Sequence, residues 1–173
     1  MEHTSKEILI VMPVTEEQKR ELEARAASGR YSCCFRYMSK AELKKEDVER
    51  ANVIAGNVPP AMLAGAEKLE WLQLNSAGAD QYTASGILPE GAVLTNATGA
   101  YGLSVSEHMV AMTFDLIRRF NQYHRNQAAH EWKAMGNIIS VEGSVVLILG
   151  TGDIGGNFAR KMKALGAYTI GVR

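Results

Sequence analysis

The 173-residue chain has only two cysteines, and they are neighbours, Cys33 and Cys34. Adjacent thiols cannot staple distant segments, so a disulfide scaffold is excluded and the pair reads as reduced thiols in a strand of an intracellular protein. Net charge is lacking too, since 19 basic residues balance 19 acidic ones. Nucleic-acid and polybasic membrane binding both need a concentrated positive field, and neither is expected. No apolar run approaches the roughly 20 residues that cross a bilayer. The start of the chain, Met1 to Glu7, is polar and carries no signal-peptide pattern. Aromatics are few, at 7%, yet 46% of the residues are hydrophobic, which excludes disorder, collagen and coiled coil. The length suits one domain or one and a fraction, at about 150 residues per domain. Such a chain buries enough surface to fold without a metal or disulfide staple. The expectation is a soluble, cytoplasmic protein.

The chain alternates strand and helix signals. Ile8-Leu9-Ile10-Val11 is a short apolar run of the kind covered on both faces, ended by Pro13. Thr15 with Gln18 forms a capping box for a helix through Ala27, stopped by Gly29. A strand over 31–37 follows, then a second capping box, Ser39 with Glu42, predicting a helix up to Asn52. Strands are expected at 53–55, 69–74 and 92–95, with Pro59-Pro60 opening a short helix. Strands spaced by helices imply parallel βαβ units. Ser104 with Glu107 is a third capping box, opening a helix on which Val105, Met109, Met112, Leu116 and Phe120 line one apolar face and Val110, Phe114 and Ile117 widen it, so that it is read as buried between elements or between subunits. His108 falls inside that face and is read as a packing residue. Residues 121–140 read as a polar loop around Trp132, with His124 and His130 solvated, and His3 lies in the N-terminal tail. No pair of these histidines has zinc-site spacing. A buried strand over 145–149, a helix from about 154 to 165 and a strand over 168–172 complete the pattern.

Gly150-Thr151-Gly152-Asp153-Ile154-Gly155 is G-x-G-x-x-G, set between the expected strand and helix as a dinucleotide-binding turn requires. Gly150 permits the tight turn, Gly152 lets a pyrophosphate approach, and Gly155 lets the helix pack on the strand. The helix N-terminus then supplies N–H donors and a positive dipole end to the diphosphate. Seventeen residues lie between Gly155 and Arg173, so Arg173 stands where an acidic ribose-binding residue is expected. An acid there selects NAD; an arginine instead takes a 2′-phosphate bidentately. NADP is therefore favoured over NAD, with a solvated strand end as the alternative for Arg173.

With these residues the chain resembles the D-isomer-specific 2-hydroxyacid dehydrogenases. The resemblance rests on residues 69–80 (LEWLQLNSAGAD), on Leu94-Thr95-Asn96-Ala97 and Gly99, on Val105-Ser106-Glu107-His108 with Arg118-Arg119, and on residues 142–155. It implies an α/β fold: a flavodoxin-like parallel-sheet substrate-binding lobe over residues 1–98, then the beginning of a Rossmann-like dinucleotide-binding domain over 99–173. It implies that Ala77, Gly78 and Ala79 offer backbone N–H groups to a substrate carboxylate, small residues leaving main-chain donors approachable. Tyr101 matches a position near the substrate and Val105 one near the nicotinamide. Cofactor contacts would come from Val105, Gly150, Gly152, Asp153, Ile154, Gly155 and Arg173. A homodimer is implied through the helix starting near Ser104.

The family's catalytic His, Glu and Arg find no counterpart in this chain; the resemblance puts them beyond residue 173. The expectation is therefore an oxidoreductase, acting between NAD(P)H and a small 2-keto or 2-hydroxy acid such as glyoxylate, hydroxypyruvate or a phosphoglycerate-like substrate. This chain is expected to be its N-terminal part, truncated and inactive alone. The alternative is a non-catalytic nucleotide-binding or regulatory module of the same fold.

Overall fold

The computed structural model describes residues 5–173; His3 lies outside the described residues. The chain divides into two compact units meeting between Thr98 and Gly99.

In the first unit, β1 (Ser5–Ile10) leads through Pro13 to α1 (Glu16–Ala27). The Thr15 side chain accepts the Gln18 N–H at 3.2 Å, and the Gln18 side chain accepts the Thr15 N–H at 2.8 Å. That reciprocal pair starts the helix where the sequence predicts. After β2 (Ser32–Tyr37) the second predicted capping box does not form. Glu42 accepts from both the N–H and the hydroxyl of Ser39 to close a turn, and α2 runs only over Lys45–Arg50. Its real N-terminal lock is Asp47, whose carboxylate takes the Lys44 N–H at 3.0 Å. β3 (Val53–Ala55), α3 (Pro60–Leu63), β4 (Trp71–Gln73), a 3-10 turn at Asp80–Tyr82 and β5 (Val93–Thr95) follow.

The five strands are all parallel, in the order β2-β1-β3-β4-β5, which is the flavodoxin-like doubly wound order. Leu9, Ile54, Leu72 and Leu94 lie side by side in one row across four strands. The first three are buried with Val48, Leu63 and Tyr82 beneath α2 and α3. On the opposite face the matching row ends in Trp71 and Val93, both exposed. At the N-terminal end of the sheet, Asn52 ties three strands together. Its side-chain oxygen takes the Glu7 N–H at 3.0 Å, and its amide nitrogen donates to the Lys68 carbonyl at 3.2 Å and to the Glu70 carboxylate at 3.1 Å. Lys6 pairs with the same carboxylate.

The second unit holds α4 (Gly102–Ile117), α5 (Phe120–Ala128), β6 (Val145–Leu149), α6 (Asp153–Ala164) and β7 (Tyr168–Val172), with β6 and β7 parallel. Four expectations are corrected here. α4 starts at Gly102, with Tyr101 at the N-cap, so Ser104 lies inside the helix and its hydroxyl bonds back to the Tyr101 carbonyl. The buried side of α4 is built on Gly102 and Ser106, with Met109, Val110, Phe114 and Ile117 against the core of the unit. Met112, Leu116 and Phe120 are exposed instead. Small residues win this face because α6 comes close: a Cβ on Gly102 would collide with the Asp153 carboxylate, and Lys161 Nζ donates to Ser106 Oγ at 2.8 Å. His108 consequently faces solvent rather than packing. Residues 121–140 are not all loop either, since α5 occupies Phe120–Ala128 after a left-handed Arg119 (φ 59°) breaks the chain direction.

Val141, Ile148, Phe158, Met162 and Ala167 form the core of the second unit. The other face of its two strands carries Val145, Leu147, Leu149, Tyr168, Ile170 and Val172, all exposed. Cys33 and Cys34 are both free thiols. Among the described residues no helix is long and apolar enough to cross a membrane.

Candidate functional site

In the second unit, the chain leaves β6 at Leu149 and enters α6 at Asp153 with three residues between. Gly150 makes this turn in the left-handed region (φ 90°), which side-chain-bearing residues avoid. A Cβ on Gly155 would fall on the Gly150 carbonyl oxygen and lie 3.2 Å from Ile148 Cγ2, so only glycine lets α6 start this close to β6. The same closeness recurs on β7, where a Cβ on Gly171 would collide with the Thr151 methyl.

Gly152 is different, because nothing lies within 4 Å of where its Cβ would be. It is also the N-cap of α6, and having no side chain it supplies no oxygen to the first turn. The N–H groups of Asp153, Ile154 and Gly155 therefore keep their donors, as unpaired first-turn amides do. Open space in front of uncapped donors at a helix N-terminus suits a diphosphate. The Asp153 carboxylate is already engaged, with Oδ1 accepting Asn157 Nδ2 at 3.1 Å beside Gly102. Next to the turn lies a cavity of about 260 Å³, lined by Met109, Leu147, Leu149, Gly150, Ile154 and Phe158 among others. Val105, one turn earlier on α4, is half-buried and does not line it. Arg173 follows Val172, whose carbonyl accepts the Gly150 N–H at 2.8 Å. Arg173, which is exposed, thus directly follows the β7 residue that pairs with the glycine turn.

In the first unit, residues 77–79 leave the C-terminal end of β4 beside the loops after β3 and β5. In this sheet order the direction reverses between β1 and β3, and ligands collect at the carboxyl ends of strands near such a reversal. Ala77 and Gly78 are exposed and Ala79 is half-buried. No atom lies within 4 Å of a Cβ built on Gly78. Asparagines follow three successive strands and hold these loops. Asn57 N–H donates to Asn75 Oδ1 at 3.2 Å, and Asn75 N–H donates to Asn57 Oδ1 at 2.9 Å. Asn57 Nδ2 donates to Ser76 Oγ at 2.8 Å, Ser76 Oγ to the Gly78 carbonyl at 2.8 Å, and Asn96 Nδ2 to the Ala77 carbonyl at 2.7 Å. The roles of Asn57, Asn75 and Asn96 escaped the sequence analysis. The available signal was positional: an asparagine within two residues of the end of each of β3, β4 and β5.

Tyr101, the N-cap of α4, belongs to the second unit. His108, His124 and His130 are exposed and form no cluster. Among the described residues no group of three His, Cys, Asp or Glu side chains could hold a metal ion.

Comparison with known proteins bears on both units. Residues 110–173 match the profile of the D-isomer specific 2-hydroxyacid dehydrogenase, NAD binding domain. The chain is 25% identical over 169 residues to a D-3-phosphoglycerate dehydrogenase of Archaeoglobus fulgidus, covering 91% of this chain and 30% of that protein. It is 29% identical over 122 residues to a glyoxylate/hydroxypyruvate reductase of Arabidopsis thaliana, covering 68% and 38%. A crystal structure of a D-isomer specific 2-hydroxyacid dehydrogenase family protein from Aeromonas salmonicida superposes with a TM-score of 0.79 at 26% identity, covering 97% and 53%. The chain thus spans about a third of the length of these curated relatives and about half of the solved chain.

Proposed function

We propose that this chain is part of a D-isomer-specific 2-hydroxyacid dehydrogenase, whose NAD-binding domain profile its residues 110–173 match, and that it serves hydride transfer between a nicotinamide dinucleotide and a small 2-keto or 2-hydroxy acid. The observation that carries the reading is the seat at Gly152: open space in front of three uncapped helix N–H groups, on a turn only glycine can make. When bound there, the dinucleotide would supply the hydride, between its nicotinamide C4 and the substrate C2. The chain's own part is binding. The N–H groups of Asp153, Ile154 and Gly155 would take the diphosphate, and Val105 and Tyr101 would border the nicotinamide and substrate. Residues 77–79 would receive the substrate carboxylate on main-chain N–H groups.

Arg173 inclines the cofactor choice to NADP(H). A guanidinium at this strand end pairs with a 2′-phosphate, whereas a carboxylate would repel it. The substrates meant are glyoxylate, hydroxypyruvate or a phosphoglycerate-like acid. A homodimer through the exposed side of α4, where Met112 and Leu116 stand, belongs to the same reading, as does a cytoplasmic location, which two free thiols suit. With the described histidines, His108, His124 and His130, exposed and scattered, the chain alone is expected to bind cofactor without turning substrate over. Fluorescence titration of the 173-residue chain with NADPH and NADH tests the reading. Saturable binding with NADPH the tighter ligand supports it; no binding of either cofactor would refute it.

A further inference from the structure

Residues 77–79 are useful to an anion only if their N–H groups point outward, and nothing in the composition of Ala-Gly-Ala decides that. A trans peptide is planar, so the carbonyl of one residue and the N–H of the next point in opposite directions. The described chain has no cis peptide. The Ala77 carbonyl is held by Asn96 Nδ2 at 2.7 Å, which turns the Gly78 N–H away from Asn96. The Gly78 carbonyl is held by Ser76 Oγ at 2.8 Å, which turns the Ala79 N–H away from Ser76. Neither N–H donates to any acceptor among the described residues. Both are approachable, Gly78 being exposed with open space beside it and Ala79 half-buried.

The Ser76 hydroxyl cannot choose its direction freely. Asn57 Nδ2 donates to it at 2.8 Å, so its own proton goes to Gly78. Asn57 is fixed in turn by exchanging two hydrogen bonds with Asn75, one through each main-chain N–H. The chain of control runs from the end of β3, through Asn57 and Ser76, to the peptide that presents Ala79.

We propose that Asn96, Ser76 and Asn57 are positioning residues that aim the Gly78 and Ala79 N–H groups at the carboxylate of a small 2-oxo acid. This rests on the reading of residues 77–79 as the carboxylate-binding loop. None of the three touches the ligand; they act by fixing two peptide planes.

The test is titration of the isotopically labelled 173-residue chain with glyoxylate, following the amide shifts of Gly78 and Ala79 by NMR, with melting temperatures measured in parallel. Wild type is expected to show saturable shifts at both amides. Ser76→Ala and Asn96→Ala should each weaken glyoxylate binding about tenfold, the scale of one hydrogen bond to a charged group. Ser76→Thr, which keeps the hydroxyl, should restore wild-type affinity, which a purely structural role would not produce at unchanged melting temperature. If wild type binds but both alanine variants bind equally well, the positioning role is refuted and the loop reading stands. If neither amide responds in wild type, the loop reading fails and the positioning role fails with it.

Discussion

Alanine placed in turn at three glycines of the α6 turn should give three different outcomes. At Gly155 the new methyl would fall on the Gly150 carbonyl oxygen, a main-chain atom that cannot rotate away. α6 would have to lift from β6, and overpacking of this kind costs about 1–3 kcal/mol. For a unit of this size, 2–3 kcal/mol corresponds to roughly 10–20 °C in melting temperature. At Gly156, one residue on, the methyl would meet only the Thr151 carbonyl at 3.7 Å, an ordinary contact. Here the usual helix-interior preference for alanine should stabilise the unit by about 0.5–1 kcal/mol. At Gly152 the backbone (φ −72°) accepts alanine and the methyl meets nothing within 4 Å. Stability should therefore stay within about 1 kcal/mol of wild type, the cost of a poorer N-cap. Cofactor affinity should fall by at least about tenfold, because the methyl occupies the space the diphosphate needs. Thermal melts and NADPH fluorescence titrations of the three variants suffice. A Gly155→Ala chain melting with wild type would refute the packing argument, and a Gly152→Ala chain binding NADPH normally would refute the placement of the diphosphate.

Three further outcomes are expected. Arg173→Asp should reverse the preference between NADPH and NADH, with NADPH weakened about 10-fold to 100-fold as a charge-assisted contact is lost; unchanged ratios of dissociation constants would remove Arg173 from cofactor selection. Asp47 is held below its ordinary value of 3.8, first by the hydrogen bond from Arg36 and then by the Lys44 N–H. Its folded pKa lies below the unfolded one, so the stability it contributes is present above pH 3.8 and lost as pH falls through the depressed value. The advantage of wild type over Asp47→Asn in urea denaturation should accordingly vanish in acid, and an advantage independent of pH would contradict this. Leu116→Glu places a charge on the exposed side of α4 and should leave the chain monomeric in sedimentation, where wild type is expected to be dimeric; equal sedimentation of the two would rule out that surface as the contact.

Where the sequence was legible, the signal was local and strong. The strands over 53–55 and 145–149 lie where their apolar runs end at Gly56 and Gly150, and the strand over 168–172 follows the helix-stopping Gly166. The Thr15 box works because both partners sit on the helix they cap. At Ser39 the hydroxyl donates to the Glu42 carboxylate instead of accepting the Glu42 N–H, so no reciprocal box forms, and the residues after Glu42 do not continue as helix. Met109, Val110, Phe114 and Ile117 of the apolar face of α4 do pack on the core, but a hydrophobic reading counts large side chains and so passes over Gly102 and Ser106, whose smallness makes the contact with α6. α5 has no apolar stripe to reveal it. It is held from outside, by Tyr123 Oη accepting the Met135 N–H at 3.2 Å and Asn126 reaching the Lys133 carbonyl at 3.3 Å. The fingerprint glycines were readable because their spacing carries their function, but the asparagine roles were not, since an asparagine after a strand is also ordinary turn chemistry.

β3 is only three residues long, and it carries Asn52 just before its start and Asn57 two residues after its end. So short a segment has little with which to set its own position along its neighbours, and a slip of one residue would turn every side chain to the wrong face. The two amides act as latches at either end: Asn52 fastens the entry to β1 and the approach to β4, and Asn57 fastens the exit to the residues that follow β4. The strand therefore serves as a gauge of fixed length between the bottom and the top of the sheet. Loosening Asn52, at the end of the strand opposite the loop, would shift the datum from which Ser76 and Gly78 are placed, without altering a residue near them.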